Sequence, residues 1–179
     1  MKLKASIIAS GIAIALLLTV GVYQVWPRSA TNDWQPLANA VPLELMMQIG
    51  REHLMPDADE QLSQMEIMRL WQSGQTRTLY LIDSRTADLS TNENPLCGAL
   101  GCAFFAYVPI EGGFQSVLNL YLDPHLPPDI ALIETGEMLH NDMPKLIIHQ
   151  LEGNQLIQMH LVLNNEQYEV IETRYLPAE

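Results

Sequence analysis

The strongest constraint on the fold is an alternation of apolar and polar residues that runs through much of the chain from Thr76 onward. Successive side chains of a strand point to opposite faces, so this period of two predicts strands with one buried face. The pattern is interrupted at Gly112-Gly113, Gly153-Asn154 and Asn164-Asn165. Residue pairs of this kind favour tight hairpin turns. The C-terminal part of the chain therefore predicts a mostly antiparallel sheet.

The turns divide this part of the chain into strands. The predicted strands span residues 76–83, 103–110, 114–123, 145–151, 155–163 and 167–175. In the first hairpin, Glu111 is expected opposite Phe114. This register places two aromatic residues and three leucines on one face, which is the predicted core. These residues are Phe105, Tyr107, Leu118, Leu120 and Leu122.

Two helices are predicted ahead of the strands. Residues 41–54 have helical spacing, with Pro42 tolerated in the first turn and Pro56 ending the helix. Residues 57–74 follow, with Asp57 and Glu60 at the spacing of an N-terminal cap and Gly74 placed to end the helix. The expected fold class is α+β, with two helices packed on a mostly antiparallel sheet of about five or six strands.

The N-terminus carries an uncharged run of 22 residues, from Ala5 to Trp26. At about 1.5 Å per residue a helix of this length spans one hydrocarbon core. Lys2 and Lys4 precede the run, which places the N-terminus in the cytoplasm. The expected organisation is a cytoplasmic N-terminus and transmembrane anchor at 1–26, a linker at 27–40 and an extracytoplasmic α+β domain at 41–179.

A cleaved signal peptide is the alternative for this segment. Its apolar run would be shorter, about 7–15 residues, and a small-x-small site would follow closely. At residues 28–30 a bulky arginine stands where the first small residue of such a site is required. Ala38-Asn39-Ala40 fits the small-x-small pattern but lies far beyond the apolar run. Both interpretations export the remainder of the chain. The expected location is a single-pass membrane protein whose C-terminal domain lies in the periplasm or the thylakoid lumen.

The acidic charge of the chain and its lack of known catalytic motifs reduce the number of functions to be considered. The chain has 9 Lys+Arg and 21 Asp+Glu residues, for a formal charge of −12. A surface this acidic does not neutralise phosphates, so we do not expect the protein to bind nucleic acids. The sequence has no nucleophile-elbow, zinc-protease, phosphate-loop or dinucleotide motif. No cofactor is predicted, and an enzymatic role is left undecided.

The chain contains two cysteines, Cys97 and Cys102. Their Cys-x4-Cys spacing differs from the Cys-x2-Cys of thioredoxin-like and zinc sites. In an oxidising compartment a structural disulfide is the simplest use. Gly98 and Gly101 would allow the small ring to close. Free thiols, and redox or metal chemistry, are the alternatives.

Three residues form a candidate metal site. In the hairpin register set by Gly153-Asn154, His149 and His160 are diagonal neighbours on one face, and Glu169 is expected opposite His160 across the next turn. Two imidazoles and a carboxylate suit zinc or copper if the side chains converge. The alternative is an ordinary solvent-facing side of the sheet.

A proline-rich segment separates the two hairpins. Its sequence is Asp123-Pro124-His125-Leu126-Pro127-Pro128. Proline lacks an amide hydrogen, so this segment does not fit a central strand. It predicts a rigid extended loop, and it is the candidate interaction loop of the chain.

Several blocks of the sequence resemble a group of uncharacterised exported cyanobacterial proteins. The blocks are Leu79-Tyr80-Leu81-Ile82-Asp83-Ser84-Arg85, Pro95-Leu96-Cys97-Gly98-x-x-Gly101-Cys102-x-Phe104-Phe105-x-Tyr107 and Val117-Leu118-Asn119-x-Tyr121-Leu122-x-Pro124-x-Leu126-Pro127-Pro128. The resemblance covers residues 79–175 and implies location and a shared domain, without an activity. Members carry further cysteines in regions where this chain has Lys145 and Asn164, so a second disulfide of the group is missing here.

Three hypotheses for function follow. The first is a membrane-tethered extracytoplasmic interaction or accessory domain, bound to the membrane by its N-terminal helix and to a membrane-protein complex. The second is a small-molecule or metal-binding domain, or an unrecognised hydrolase, that uses a cleft between helices and sheet. The third is a structural protein without a ligand. An exposed apolar patch would favour the first hypothesis, and a concave polar pocket the second.

Overall fold

The computed structural model describes residues 33–54, 59–85 and 94–177. Within these residues the chain forms three short helices and ten strands. The helices are α1 (Leu37–Ala40), α2 (Leu43–His53) and α3 (Asp59–Gln64). The strands are β1 (Gln35–Pro36), β2 (Glu66–Leu70), β3 (Leu79–Asp83), β4 (Cys97–Gly98), β5 (Gly101–Ile110), β6 (Gly113–Leu122), β7 (Ile133–His140), β8 (Met143–Glu152), β9 (Gln155–Asn164) and β10 (Gln167–Tyr175).

The strands form two antiparallel sheets. In the first sheet β1, β2, β3 and β5 pair side by side, β6 pairs with the other side of β5, and β4 pairs with the start of β5. In the second sheet the order is β10, β9, β8, β7. The segment 123–132 leads from β6 at the edge of the first sheet to β7 at the edge of the second. Strand β10 lies at the opposite edge of the second sheet and comes close to β6.

The first sheet is buried on both faces, which gives the molecule two cores. One core lies between the two sheets and includes Leu70, Leu81, Phe104, Leu118, Leu146, Ile148 and Leu161. The other lies between the first sheet and the helices and includes Leu37, Leu45, Ile49, Ile67, Ile82, Phe105 and Tyr107. Burying one large apolar side chain contributes about 1.5–3 kcal/mol. The layer order is therefore helices, first sheet, second sheet.

The predicted α+β class is wrong, because the described chain is mostly β. The expected helix at 57–74 is cut to α3, and β2 follows it. Leu62, Met65 and Met68 fit a helical spacing, but Ile67 faces the helices while Met68 faces the second sheet, as strand geometry requires. The sequence prediction of five or six strands does not include β2 or β7. It also places all of the strands in one sheet, whereas the structure has two. The continuous apolar run of β5 needs a covering layer on each face.

Several local predictions are confirmed. A helix lies within 41–54 and begins after Pro42, and β10 covers the predicted 167–175. The second hairpin has the predicted register, with Ile147 opposite His160. The first hairpin does not, because Pro109 rather than Glu111 lies opposite Phe114.

The shift in the first hairpin has a consequence for the core. A bulge between Ala106 and Tyr107 moves the pairing further, and Phe105 comes opposite Asn119. The leucines of β6 therefore share a face with Phe104 and Ala106, whereas Phe105 and Tyr107 belong to the core under the helices. The single core predicted from these aromatic residues and leucines is divided between two layers.

In the part of the chain that the structure describes, none of the helices has the length and apolar character needed to cross a bilayer. The longest, α2, has 11 residues and spans about 16 Å, roughly half a hydrocarbon core. This finding conflicts with the predicted single-pass membrane location. The proposed transmembrane helix at 5–26 lies outside the described residues.

The folded unit begins earlier than the boundary predicted at residue 41. Gln35 pairs with Ile67 of β2, and Leu37 is fully buried under α2 and α3. The amide of Leu37 also donates to the carbonyl of Met65 at 2.9 Å. Residues 35–40 of the predicted linker are therefore part of the fold.

Candidate functional site

The most exposed apolar surface on any strand lies along β10. Val170, Ile171 and Tyr175 are 50%, 57% and 59% exposed, although side chains of this size are usually buried. They belong to residues 170–175, which we call the edge surface. Because β10 is the last strand of its sheet, no strand of the described chain pairs with its outer side.

Tyr168 anchors β10 to the rest of the fold. It is the one buried residue of the strand, and its phenol donates to the carbonyl of Pro144 at 2.8 Å. Burial raises the pKa of the Tyr168 phenol. Beyond Tyr168 the register shifts between Val170 and Glu172, which leaves Ile171 as the extra residue of a bulge. The edge surface thus begins where the firmly packed part of the strand ends.

The polar side chains of the edge surface are paired locally. Arg174 donates to both carboxylate oxygens of Glu172, at 2.7 and 2.8 Å. These hydrogen bonds lower the pKa of Glu172 and raise the pKa of Arg174. A hydrogen bond to Glu152 raises the pKa of the Tyr175 phenol. Residues 170–175 therefore carry no net charge, although the whole chain carries −12.

The main chain of β10 presents hydrogen-bonding groups on its open side. The amide of Leu176 donates to the carbonyl of Leu156 on β9 at 2.9 Å. In an antiparallel pair, main-chain groups of successive residues point to opposite sides of the strand. The amides and carbonyls of Thr173 and Tyr175 therefore point away from β9. This arrangement is suited to accepting another strand.

The three residues of the predicted metal site do not converge on one point. His149 and His160 share a face, but the bulge in β10 places Glu172 rather than Glu169 opposite His160. The amide of Gln158 stands between the imidazoles, 3.0 Å from Nε2 of His149 and 2.9 Å from Nε2 of His160. Among the residues that the structure describes, no group of three ligand-type side chains is arranged to hold a metal ion.

His149 is fixed by hydrogen bonds on both ring nitrogens. Its Nδ1 lies 2.8 Å from the carbonyl of Ala131, which accepts the Nδ1 proton. Its Nε2 then accepts from the amide group of Gln158. The side chain is also buried. His149 therefore joins β8 to β9 and to the chain entering β7, which is a structural role.

Cys97 and Cys102 form the predicted disulfide, with their sulfur atoms 2.14 Å apart. They lie opposite each other in the pairing of β4 with β5. Gly101 is required beside them, because its φ is +99° and a Cβ there would lie 2.1 Å from the carbonyl oxygen of Leu122. The bridge closes a small loop on the first sheet, whereas the edge surface belongs to the second sheet.

The predicted interaction loop is tied to the second sheet. The side chain of Gln150 accepts from the amide of Asp123 and donates to its carbonyl, at 3.0 and 3.1 Å. The carboxylate of Asp123 also contacts the ring of His125 at 2.7 Å, and hydrogen bonds from His125 lower the pKa of Asp123. Pro124 and Leu126 are half-buried, and Pro127 and Pro128 are exposed. None of the large hydrophobic residues that are exposed in the described chain belongs to this loop, whereas three belong to β10.

A partly buried polar cluster joins α2 to β5. The phenol of Tyr107 donates to Glu52 at 2.7 Å, so the Nε2 proton of His53, also at 2.7 Å, is directed to the phenol oxygen. The His53 ring stacks on Phe105 at 3.7 Å between centroids. Burial and Glu52 raise the pKa of Tyr107, and burial lowers the pKa of His53 against the opposing effect of Glu52. Tyr107 is fully buried and the Glu52 side chain is 39% exposed, so the cluster runs from the core under the helices to the surface.

One cleft is formed between the helices and the first sheet. It has a volume of about 510 Å³ and is lined by Asn39, Ala40, Val41, Pro42, Arg69 and Tyr80. Arg69 and Tyr80 are cross-strand partners on β2 and β3. The guanidinium of Arg69 is the charged group among the residues that line the cleft.

Sequence patterns did not indicate these two surfaces. The exposure of β10 depends on its place at the end of the sheet, and local alternation does not report this. The adjacent apolar residues Val170 and Ile171, which break the alternation, were the one available signal. Comparison of the chain with protein-family models, curated proteins and solved structures finds no match. The resemblance to exported cyanobacterial proteins therefore stays a prediction.

Proposed function

We propose that this protein is a protein-interaction domain that binds its partner through the edge surface of β10. The observation that carries the proposal is the presence of three large, half-exposed apolar side chains on a strand with an open edge. Exposed apolar residues clustered on one element are typical of interaction sites. Natural proteins blunt such edges with bulges and charged side chains, and here the bulge at Ile171 and the Glu172–Arg174 pair restrict pairing to a short segment.

The proposed mode of binding is addition of a strand to the second sheet. The outward main-chain groups of Thr173 and Tyr175 would bond to the incoming strand, and the side chains of Ile171 and Tyr175 would contact its apolar residues. The bulge at Ile171 ends the regular run on one side. The pairing segment is therefore short and centred on Thr173.

The chemistry of the surface favours a protein partner. A formal charge of −12 repels the phosphates of nucleic acids. The edge surface itself is neutral through the pairing of Glu172 with Arg174, so a protein strand meets no net repulsion there. The polar groups of the Tyr107 cluster are paired with one another in partly buried hydrogen bonds, which gives less support to a hydrolase.

Position-specific photo-crosslinking in the native cells tests this proposal. The full-length chain is produced with p-benzoylphenylalanine in place of Ile171, and adducts are separated by mass and identified. A matched chain carries the same residue in place of Leu100, which is 77% exposed in the turn between β4 and β5. We expect discrete adducts from position 171, and loss of these adducts when Thr173→Pro is added.

The Thr173→Pro variant is chosen because the Thr173 amide points away from β9. Proline there removes an outward donor without removing a hydrogen bond of the sheet. If positions 171 and 100 gave the same diffuse products, or if Thr173→Pro left the adducts unchanged, the edge surface would not be the binding site.

The cleft beside Arg69 supports a second candidate function, the binding of a small anion. Its guanidinium can pair with a carboxylate or phosphate group in a bidentate way. Thermal unfolding of the full-length protein in millimolar acetate, succinate or inorganic phosphate would test it. A specific ligand would raise Tm in the wild type and in Arg51→Gln, an exposed control, but not in Arg69→Gln. If the ligand changed Tm equally in all three proteins, or changed it in none of them, this function would be rejected.

A further inference from the structure

We infer that the partner strand is β10 of a second copy of this chain, paired antiparallel about a two-fold axis at Thr173. This inference rests on the proposed function and names the partner of the same surface. A two-fold interface brings one surface against itself, so the surface must be self-complementary. Three properties of residues 170–175 meet this condition: main-chain direction, charge order and apolar order.

The main-chain groups are consistent with an axis at Thr173. The amide and carbonyl of Thr173 point away from β9, as do those of Tyr175 two residues later. With Thr173 opposite its own counterpart, these groups form a hydrogen-bonded pair. Tyr175 then comes close to Ile171 of the second copy, at the bulge that ends the regular run, and the same contact recurs on the other side of the axis.

The charges favour an axis at Thr173 over an axis at either adjacent residue. A two-fold axis at Thr173 places Glu172 opposite Arg174 of the second copy, on both sides of the axis. An axis at Glu172 would place two carboxylates opposite each other, and an axis at Arg174 would place two guanidinium groups opposite each other. Opposite charges stabilise a cross-strand pair and like charges destabilise it. Since Glu172 and Arg174 already pair within one strand, the dimer would hold four alternating charges.

The apolar side chains follow the same symmetry. Ile171 and Tyr175 are each more than half exposed in the single chain. In the proposed register they come close to each other across the two strands, and contacts between aromatic and β-branched residues are favourable there. The paired segment is short, so the interface is below the standard size, and we expect a dissociation constant on the order of 10 μM.

Sedimentation equilibrium of the full-length protein between about 1 and 300 μM tests this inference. The wild type is expected to pass from monomer to dimer. Glu172→Arg and Arg174→Glu, made singly, place like charges opposite each other and are expected to weaken dimerisation at least about tenfold. The double variant restores opposite charges in a homodimer and is expected to recover wild-type dimerisation. Circular dichroism confirms that each variant is folded.

The double variant separates a second copy from a different partner. A partner of another sequence keeps its own charges, so exchanging both charges here would not restore its binding. Thr173→Pro is expected to remain monomeric while its Tm stays near the wild-type value. A double variant as weak as the single ones would overturn the register, and a wild type that stays monomeric at 300 μM would overturn the inference.

The outcomes also separate this inference from the proposed function. A crosslinked adduct at twice the 20.1 kDa chain mass identifies a second copy. If the wild type is monomeric and position 171 crosslinks to a different protein, self-pairing is wrong and the interaction domain stands. If the wild type is monomeric and position 171 gives no discrete adduct, both are wrong.

Discussion

Strands β5 and β10 have ten and nine residues and opposite surroundings. In β5 the run 102–108 is buried throughout, with β3 and β6 on its sides, the helices on one face and the second sheet on the other. In β10 only Tyr168 is buried, and one side of the strand is open. The contrast separates two tasks. β5 stabilises the domain, whereas β10 has side chains and main-chain groups free to bind.

The largest expected effect is on β5. Phe104→Ala removes a fully buried ring from the core between the sheets and leaves a cavity. We expect the free energy of unfolding to fall by about 3–5 kcal/mol. Urea unfolding followed by circular dichroism measures it. Val170→Ala on β10 is the matched control, and an equal loss in both variants would remove the contrast between the strands.

The disulfide beside β5 is expected to contribute less. Replacing both Cys97 and Cys102 with alanine removes a constraint on a loop of few residues, and the chain-entropy model gives a loss of about 2 kcal/mol. The comparison is between oxidised wild type, wild type in reductant and the double variant. The last two should unfold at similar urea concentrations. Unchanged unfolding in all three would show that the bridge does not stabilise β5.

At the junction between the packed and open parts of β10, Tyr168→Phe removes the hydrogen bond to the carbonyl of Pro144. A buried acceptor is left without its donor, so we expect a loss of about 1–2 kcal/mol. Tyr121→Phe, at an exposed tyrosine, should cost nothing measurable. If both variants unfolded like the wild type, Tyr168 would not anchor the strand.

A pH effect is expected under α2. The pKa of His53 in the folded chain is below 6.5, its ordinary value, so the unfolded chain binds more protons between these two values. Stability therefore rises with pH across this window and is lost as pH falls through it. His53→Gln should reduce the slope between pH 7.5 and 5.5. Since this variant also loses the stacking on Phe105, slopes rather than absolute stabilities are compared, with His140→Gln as the exposed control.

The smallest stability effect is expected on the edge surface. Ile171→Ser should change the free energy of unfolding by no more than about 0.5 kcal/mol, because its side chain is 57% exposed. The same variant should lose its partner in a sedimentation or crosslinking experiment. A large loss of stability would instead assign Ile171 to the folded core.

Local features of this fold were predictable from sequence, and long-range ones were not. The α2 helix follows from its apolar spacing after Pro42, and the two-residue turn at Gly153-Asn154 sets the register of β8 and β9. The sequence predicts a helix here because Leu62, Met65 and Met68 are spaced three apart, as on one face of a helix, but Met68 lies on β2 and faces the second sheet. Pairing with β3, which is distant in sequence, decided the outcome.

The candidate site depended on features that the sequence does not display. Bulges near Tyr107 and Ile171 shift two registers, and the second shift separates Glu169 from His160. The place of β10 at the edge of the sheet is a property of topology. Composition did identify the acidic surface, and the spacing of Cys97 and Cys102 did indicate their bridge.

The central claim is that β10 gains a partner strand while β5 needs none. Hydrogen–deuterium exchange of the full-length protein at about 1 μM and at about 300 μM, below and above the expected dissociation constant, tests it most directly. We predict slower exchange at the higher concentration for peptides that contain Thr173 and Tyr175, and equal exchange at both concentrations for peptides from β5. Equally fast exchange of the β10 peptides at both concentrations would contradict the claim.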